Sequence, residues 1–150
     1  QMPKFRLSQR SLDRLATVHP SLQEVVKLAI TISEIDFGVT QGLRTRDEQM
    51  RLYGQGRTPA QMSAAGLNPA YAKPSMQRVT WTMNSNHMTG RAVDLVPYIN
   101  GKVEWDNNGR LGLWPKIANA MKLAAVELGT PIIWGGDWKK TPDRPHFELA

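Results

Sequence analysis

The chain has 150 residues, 41% apolar and 21% charged, with a net charge of +6 and no cysteine. This size and balance fit one globular domain and argue against disorder, while the missing cysteine excludes disulfides, thiolate metal sites and a cysteine nucleophile. The positive charge is spread evenly, with nine basic and six acidic groups in residues 1–60 and ten and seven in 61–150, so nucleic acid is not an expected partner.

Gln1 ahead of Met2 suggests an added residue with Met2 as the natural start, and no apolar stretch of a signal peptide follows. Ser8 or Ser11 can cap a short helix bearing Leu12, Leu15 and Ala16, which ends before His19-Pro20. His19 reads as a helix-end residue. Pro20 opens a second helix whose Leu22, Val25, Val26, Ala29 and Ile30 follow the period of one buried stripe. Residues 36–40 read as a strand. Thr45 and Glu48 then have capping-box spacing for a helix ending at Gly54 or Gly56. Residues 57–77, punctuated by Pro59, Gly66, Pro69 and Pro74, read as a long surface excursion with about one helical turn.

Residues 79–82 and 92–96 are predicted strands, and Asn100-Gly101 predicts a hairpin into 102–105. An amphipathic helix is expected over 114–128, with Ile117, Ala118, Met121, Ala125 and Leu128 inward and Gly129 and Pro131 as stops. Strands follow at 131–134 and 146–149. Helices first, then mostly strands joined partly by a hairpin, indicate an α+β fold: one domain over 1–150 with a small, mostly antiparallel sheet. No apolar run reaches the ~20 residues of a membrane helix, so membrane insertion is not expected. A monomer is expected.

Two of the three histidines stand in unusual company. His87 precedes Asp94 by seven residues, a separation of ~10.5 Å on a helix or ~23 Å on a strand, so the two can share one metal ion only if the chain doubles back. Thr89-Gly90 offers that bend. Asp94 then leaves its strand on the face opposite Val93 and Leu95, where an acid alternating with aliphatics can equally face solvent. Near the C-terminus, Pro145 holds Asp143 and His146 in an extended or turn segment. His87, Asp94 and His146 together make a two-histidine, one-carboxylate set, and three protein ligands with one open place suit catalytic zinc.

The pattern Ser85-x-His87-x-x-Gly90-x-Ala92-x-Asp94, followed by Asp143-x-x-His146, resembles the zinc peptidases of bacterial cell walls. These include D-alanyl-D-alanine carboxypeptidases and phage L-alanyl-D-glutamate endopeptidases. Gly42-Leu43-Arg44-Thr45 with Gln49 resembles the family's upstream arginine motif, and the likeness runs from about residue 36 to the end. Trp134-Gly135-Gly136-Asp137-Trp138 leans toward the phage endolysin branch. The resemblance implies a zinc site at the sheet formed by His87, Asp94 and His146. It makes Asp143 the general base and then acid, and Arg44 the group that stabilises the oxyanion.

Ser85, Gln49, Asp137 and Trp138 are candidates for substrate binding or for support of the ligands, with Asp137 a possible histidine orienter or alternative base. The implied function is a zinc endopeptidase that cuts peptidoglycan stem peptides between L-Ala and D-Glu and lyses the host. It would be made in the host cytoplasm without a signal peptide, would reach the wall through a phage pore, and would carry no separate wall-binding domain. Diffuse positive charge favours encounter with that anionic surface. A D-alanyl-D-alanine carboxypeptidase and a non-catalytic zinc-bearing wall-binding module are the alternatives.

Overall fold

The structure, a computed structural model, describes residues 3–150; the reading of Gln1 and Met2 as the chain start lies outside the described residues. Two compact units form, one from residues up to Leu43 together with Thr89–Ala150, the other from Arg44–Met88.

In the first unit, α1 (Gln9–Leu15) is capped by the Ser8 hydroxyl and α2 (Pro20–Ile32) by the His19 ring, whose Nδ1 accepts from the Ser21 amide. Leu22, Val25, Val26, Ala29 and Ile30 of α2 are all buried, as their spacing predicts. The sheet contains β1 (Asp36–Gln41), β2 (Ala92–Ile99), β3 (Lys102–Val103), β4 (Ile132–Trp134) and β5 (His146–Leu149). Its strand order is β1-β2-β5-β4 with β3 also on β2, and every pairing is antiparallel, so the α+β expectation holds. Asn100 and Gly101 both take positive φ, the conformation a tight two-residue hairpin demands.

Helix α5 (Leu113–Leu128) packs on α2, and α1 packs on β1. One core joins Leu15, Val25, Val26, Ile117 and Met121 to Val93, Leu95, Phe147 and Leu149 of β2 and β5. Leu128, expected inward, is 43% exposed at the C-terminal end of α5. The outer polar groups of edge strand β1 are covered from α1: the Val39 amide donates to Ser11 Oγ at 2.9 Å, and Arg14 Nη1 donates to the Val39 carbonyl at 2.9 Å.

The second unit contains α3 (Arg46–Gly54), with the expected Thr45–Glu48 capping box, and α4 (Pro59–Ala64), with a second box from Thr58 and Gln61. The excursion at 57–77 is therefore more structured than its punctuation suggests, with Met62, Leu67 and Arg57 buried. It folds back on the end of α3, where the Lys73 amide donates to the Gly54 carbonyl and the Gly56 amide to the Lys73 carbonyl, each at 2.9 Å.

The strand expected at 79–82 does not form. Thr80 and Thr82 bond neighbouring backbone through their hydroxyls, and their carbonyls are taken by Arg57 and Gln49 side chains, which leaves no ladder to join. Trp81 is consequently 64% exposed. Among the described residues no helix is long and apolar enough to cross a membrane.

Candidate metal centre

Side chains alternate across a strand, so Val93 and Leu95 entering the core send Asp94 to the other face of β2. On β5 the same rule buries Phe147 and Leu149 and places His146 and Glu148 on the face that carries Asp94. The ladder register makes Asp94 and His146 direct partners. The Leu95 amide donates to the Pro145 carbonyl one step along, and the Leu149 amide to the Arg91 carbonyl further on. Asp94 and His146 therefore occupy a pair that exchanges no backbone hydrogen bonds, the kind whose side chains approach most closely. A bulge in β1 between Val39 and Gln41 lies opposite this part of β2.

His87 arrives from a 3₁₀ turn, Asn86–Thr89, and is only 2% exposed. Ser85 Oγ accepts from the His87 amide at 3.2 Å, and the His87 carbonyl accepts from the Arg44 amide at 2.9 Å. Gly90, at φ 73°, then turns the chain into β2, the bend the sequence calls for. The outcome is a group of three, His87, Asp94 and His146, whose candidate ligand atoms lie within 4.8 Å of one another. Two imidazoles and one carboxylate at this spacing can hold a metal ion, and with three protein donors a fourth position stays available to water or substrate.

Around His146 the environment is charged. Its Nδ1 lies 3.6 Å from Asp94 Oδ1 and its Nε2 lies 2.7 Å from Glu148 Oε1. Burial works against the charged imidazole, but hydrogen bonds with Asp94 and Glu148 and the charges of Asp94 and Asp143 outweigh it, raising the His146 pKa above the usual value. Asp143 is exposed, its amide donates to the Gly135 carbonyl at 2.8 Å, and its own carbonyl accepts from the His146 amide at 3.2 Å. Gly135 permits this turn: a Cβ there would fall 2.3 Å from the Asp143 carbonyl oxygen and 3.0 Å from His146 Cβ.

The Trp138 ring lies 5.1 Å from the His146 ring, centroid to centroid, and forms a wall beside it. Asp137, by contrast, is engaged by Lys122 of α5 at 2.8 Å, and the carboxylate bonded to His146 Nε2 is that of Glu148. Within the second unit Arg44 Nη1 donates to Gln49 Oε1 at 2.8 Å, and Gln49 Nε2 donates to the Thr82 carbonyl at 2.8 Å. Gln49 is fully buried, so these bonds fix one side of the Arg44 guanidinium.

Glu148 is the residue that reading the sequence passed over. The signal was there, since a glutamate two places after a histidine in a predicted strand shares its face.

A family model described as phage L-alanyl-D-glutamate peptidase matches residues 3–64 and 72–149, which takes in both N-terminal helices. The L-alanyl-D-glutamate peptidase of Escherichia phage T5 is 34% identical over 145 residues, covering 97% of this chain and 89% of that protein. The peptidoglycan L-alanyl-D-glutamate endopeptidase CwlK of Bacillus subtilis (strain 168) is 30% identical over 142 residues, covering 88% and 73%. Among solved structures, the Serratia marcescens L-Ala D-Glu endopeptidase ChiX superimposes with a TM-score of 0.71 at 34% identity, covering 97% of this chain and 90% of that one.

Proposed function

Since the chain belongs to the phage L-alanyl-D-glutamate peptidase family, we propose that it hydrolyses the L-alanyl-D-glutamate bond of peptidoglycan stem peptides with a zinc ion held by His87, Asp94 and His146. The observation that carries this reading is that Asp94 and His146 are ladder partners and that, with His87, their candidate ligand atoms lie within 4.8 Å of one another. Nitrogen and oxygen donors without thiolate suit zinc in a catalytic setting. A zinc ion there would supply Lewis acidity, which lowers the pKa of water far enough for deprotonation near neutral pH.

The remaining chemistry falls to the chain's own groups. Asp143, on the turn that leads into His146, takes the proton of the attacking water and passes it to the departing amine of D-Glu. Arg44, braced by Gln49, stabilises the negative charge that grows on the scissile carbonyl oxygen; loss of one such donor typically costs ~2.7–4 kcal/mol of barrier. Trp138 offers an apolar wall to the stem peptide beside His146. Ser85 supports the turn that presents His87. In the cell the protein acts as a monomeric endolysin, reaching the wall from the host cytoplasm through a phage pore.

Digestion of purified muropeptides by the zinc-loaded protein, followed by mass spectrometry, tests the reaction. New D-Glu amino termini are expected. Release of free D-Ala without them overturns the choice of bond, and intact muropeptides bound but uncut overturn the enzyme reading. Asp143→Ala is expected to retain zinc and lose turnover; full activity in that variant removes Asp143 from its role.

A further inference from the structure

We infer that Glu148 is a positioning residue that fixes the tautomer of His146, so that this histidine meets the metal through Nδ1. His146 and Glu148 lie two residues apart on β5 and project from the same face. Across the ladder Glu148 faces Ala92, which presents only a methyl group, and its side chain is largely buried. Glu148 Oε1 sits 2.7 Å from His146 Nε2, while the Nδ1 edge of the same ring faces Asp94 Oδ1 at 3.6 Å.

A neutral imidazole carries one N–H and one lone pair, and the hydrogen bond made by one nitrogen sets which is which. An ionised carboxylate accepts but does not donate. With Glu148 on Nε2, the proton resides there and the Nδ1 lone pair points to the side where Asp94 contributes its oxygen. The negative charge of Glu148 also makes the ring a stronger donor, and partners of this kind are worth about 10- to 100-fold in metal affinity.

The inference rests on the proposed ligand set, yet the tautomer is a property of the metal-free protein, so the two can fail separately. Long-range ¹H–¹⁵N spectra of the metal-free wild type, at a pH where the ring is neutral, should show His146 protonated on Nε2. In Glu148→Ala a mixture of tautomers is expected, together with zinc affinity reduced about 10- to 100-fold in competition against a chromophoric chelator. Glu148→Gln retains an acceptor of the same size and should restore the tautomer while recovering only part of the affinity. A wild-type ring protonated on Nδ1, or a folded Glu148→Ala protein with wild-type tautomer and affinity, overturns the inference. Should Glu148→Ala fail to fold, Glu148→Gln with wild-type zinc affinity overturns it equally. Wild-type protein that binds no zinc while holding the Nε2 proton would count against the metal site and not against the tautomer.

Discussion

Asp94 and His146 face each other across the β2–β5 ladder at a position flanked by backbone-bonded pairs, so their side chains meet without distorting either strand. The register is held by the apolar residues on the opposite face, because a slip of one residue would exchange the core and site faces of β5. The approach of these two side chains thus depends on Val93, Leu95 and Phe147 as much as on the pair itself. Asp94→Asn should therefore leave the fold intact while weakening metal binding, and His87→Ala should do the same from the neighbouring turn. Zinc content after dialysis, measured beside the melting temperature of the metal-free proteins, checks this; a variant that retains stoichiometric zinc leaves the ligand set.

Gly135 has a different task, which is to let the Asp143 turn close against it. An added methyl would collide with the Asp143 carbonyl oxygen and crowd His146 Cβ, both next to the site. Crowding of this kind in packed surroundings typically costs about 1–3 kcal/mol. Gly135→Ala should lower thermal stability by that order and reduce turnover more than it reduces zinc content. Wild-type kinetics in Gly135→Ala would mean that the turn relaxes freely and does not set the position of Asp143.

What could be read in advance follows from how local each rule is. The α2 stripe, the Thr45 capping box, the Asn100-Gly101 hairpin and the strand beginning at His146 are all written in short stretches of chain. The grouping of His87, Asp94 and His146 was legible through motif spacing, although the ladder register that pairs Asp94 with His146 joins residues more than 50 positions apart. Residues 79–82 misled because side chains from α3 and from Arg57 claim their carbonyls, a long-range effect that β-propensity does not contain. Met62 and Leu67 were hidden in a stretch whose prolines and glycines suggested only surface.

The acid side of the stability curve carries a prediction in the second unit. Hydrogen bonds from Tyr71 first and Arg51 second hold the Asp47 carboxyl below its ordinary pKa. A carboxylate with a depressed folded pKa contributes stability above its unfolded value of 3.8, and the contribution fades as pH falls through the folded value. Tyr71→Phe removes the leading cause, so Asp47 should titrate closer to its ordinary value and contribute less to acid unfolding. The effect is small because these groups are exposed and screened by salt. Side-chain carboxyl NMR shifts followed from neutral to acid pH provide the check, and an unmoved Asp47 midpoint would assign the depression to Arg51 alone.

Gln49 is a buried amide with both ends occupied, accepting from Arg44 and donating to the Thr82 carbonyl. Gln49→Leu preserves approximate size but strands these polar partners, which typically costs about 1–3 kcal/mol. If Arg44 acts chiefly on the charge that develops in the transition state, freeing its guanidinium should lower kcat and kcat/KM together and leave KM little changed. The measurement is steady-state cleavage of a defined stem peptide by variant and wild type, with melting temperatures recorded in parallel. A rise in KM at constant kcat would instead place Arg44 in ground-state binding of the peptide, and unchanged kinetics in a destabilised protein would reduce Gln49 to a structural tie between α3 and the 80–82 segment.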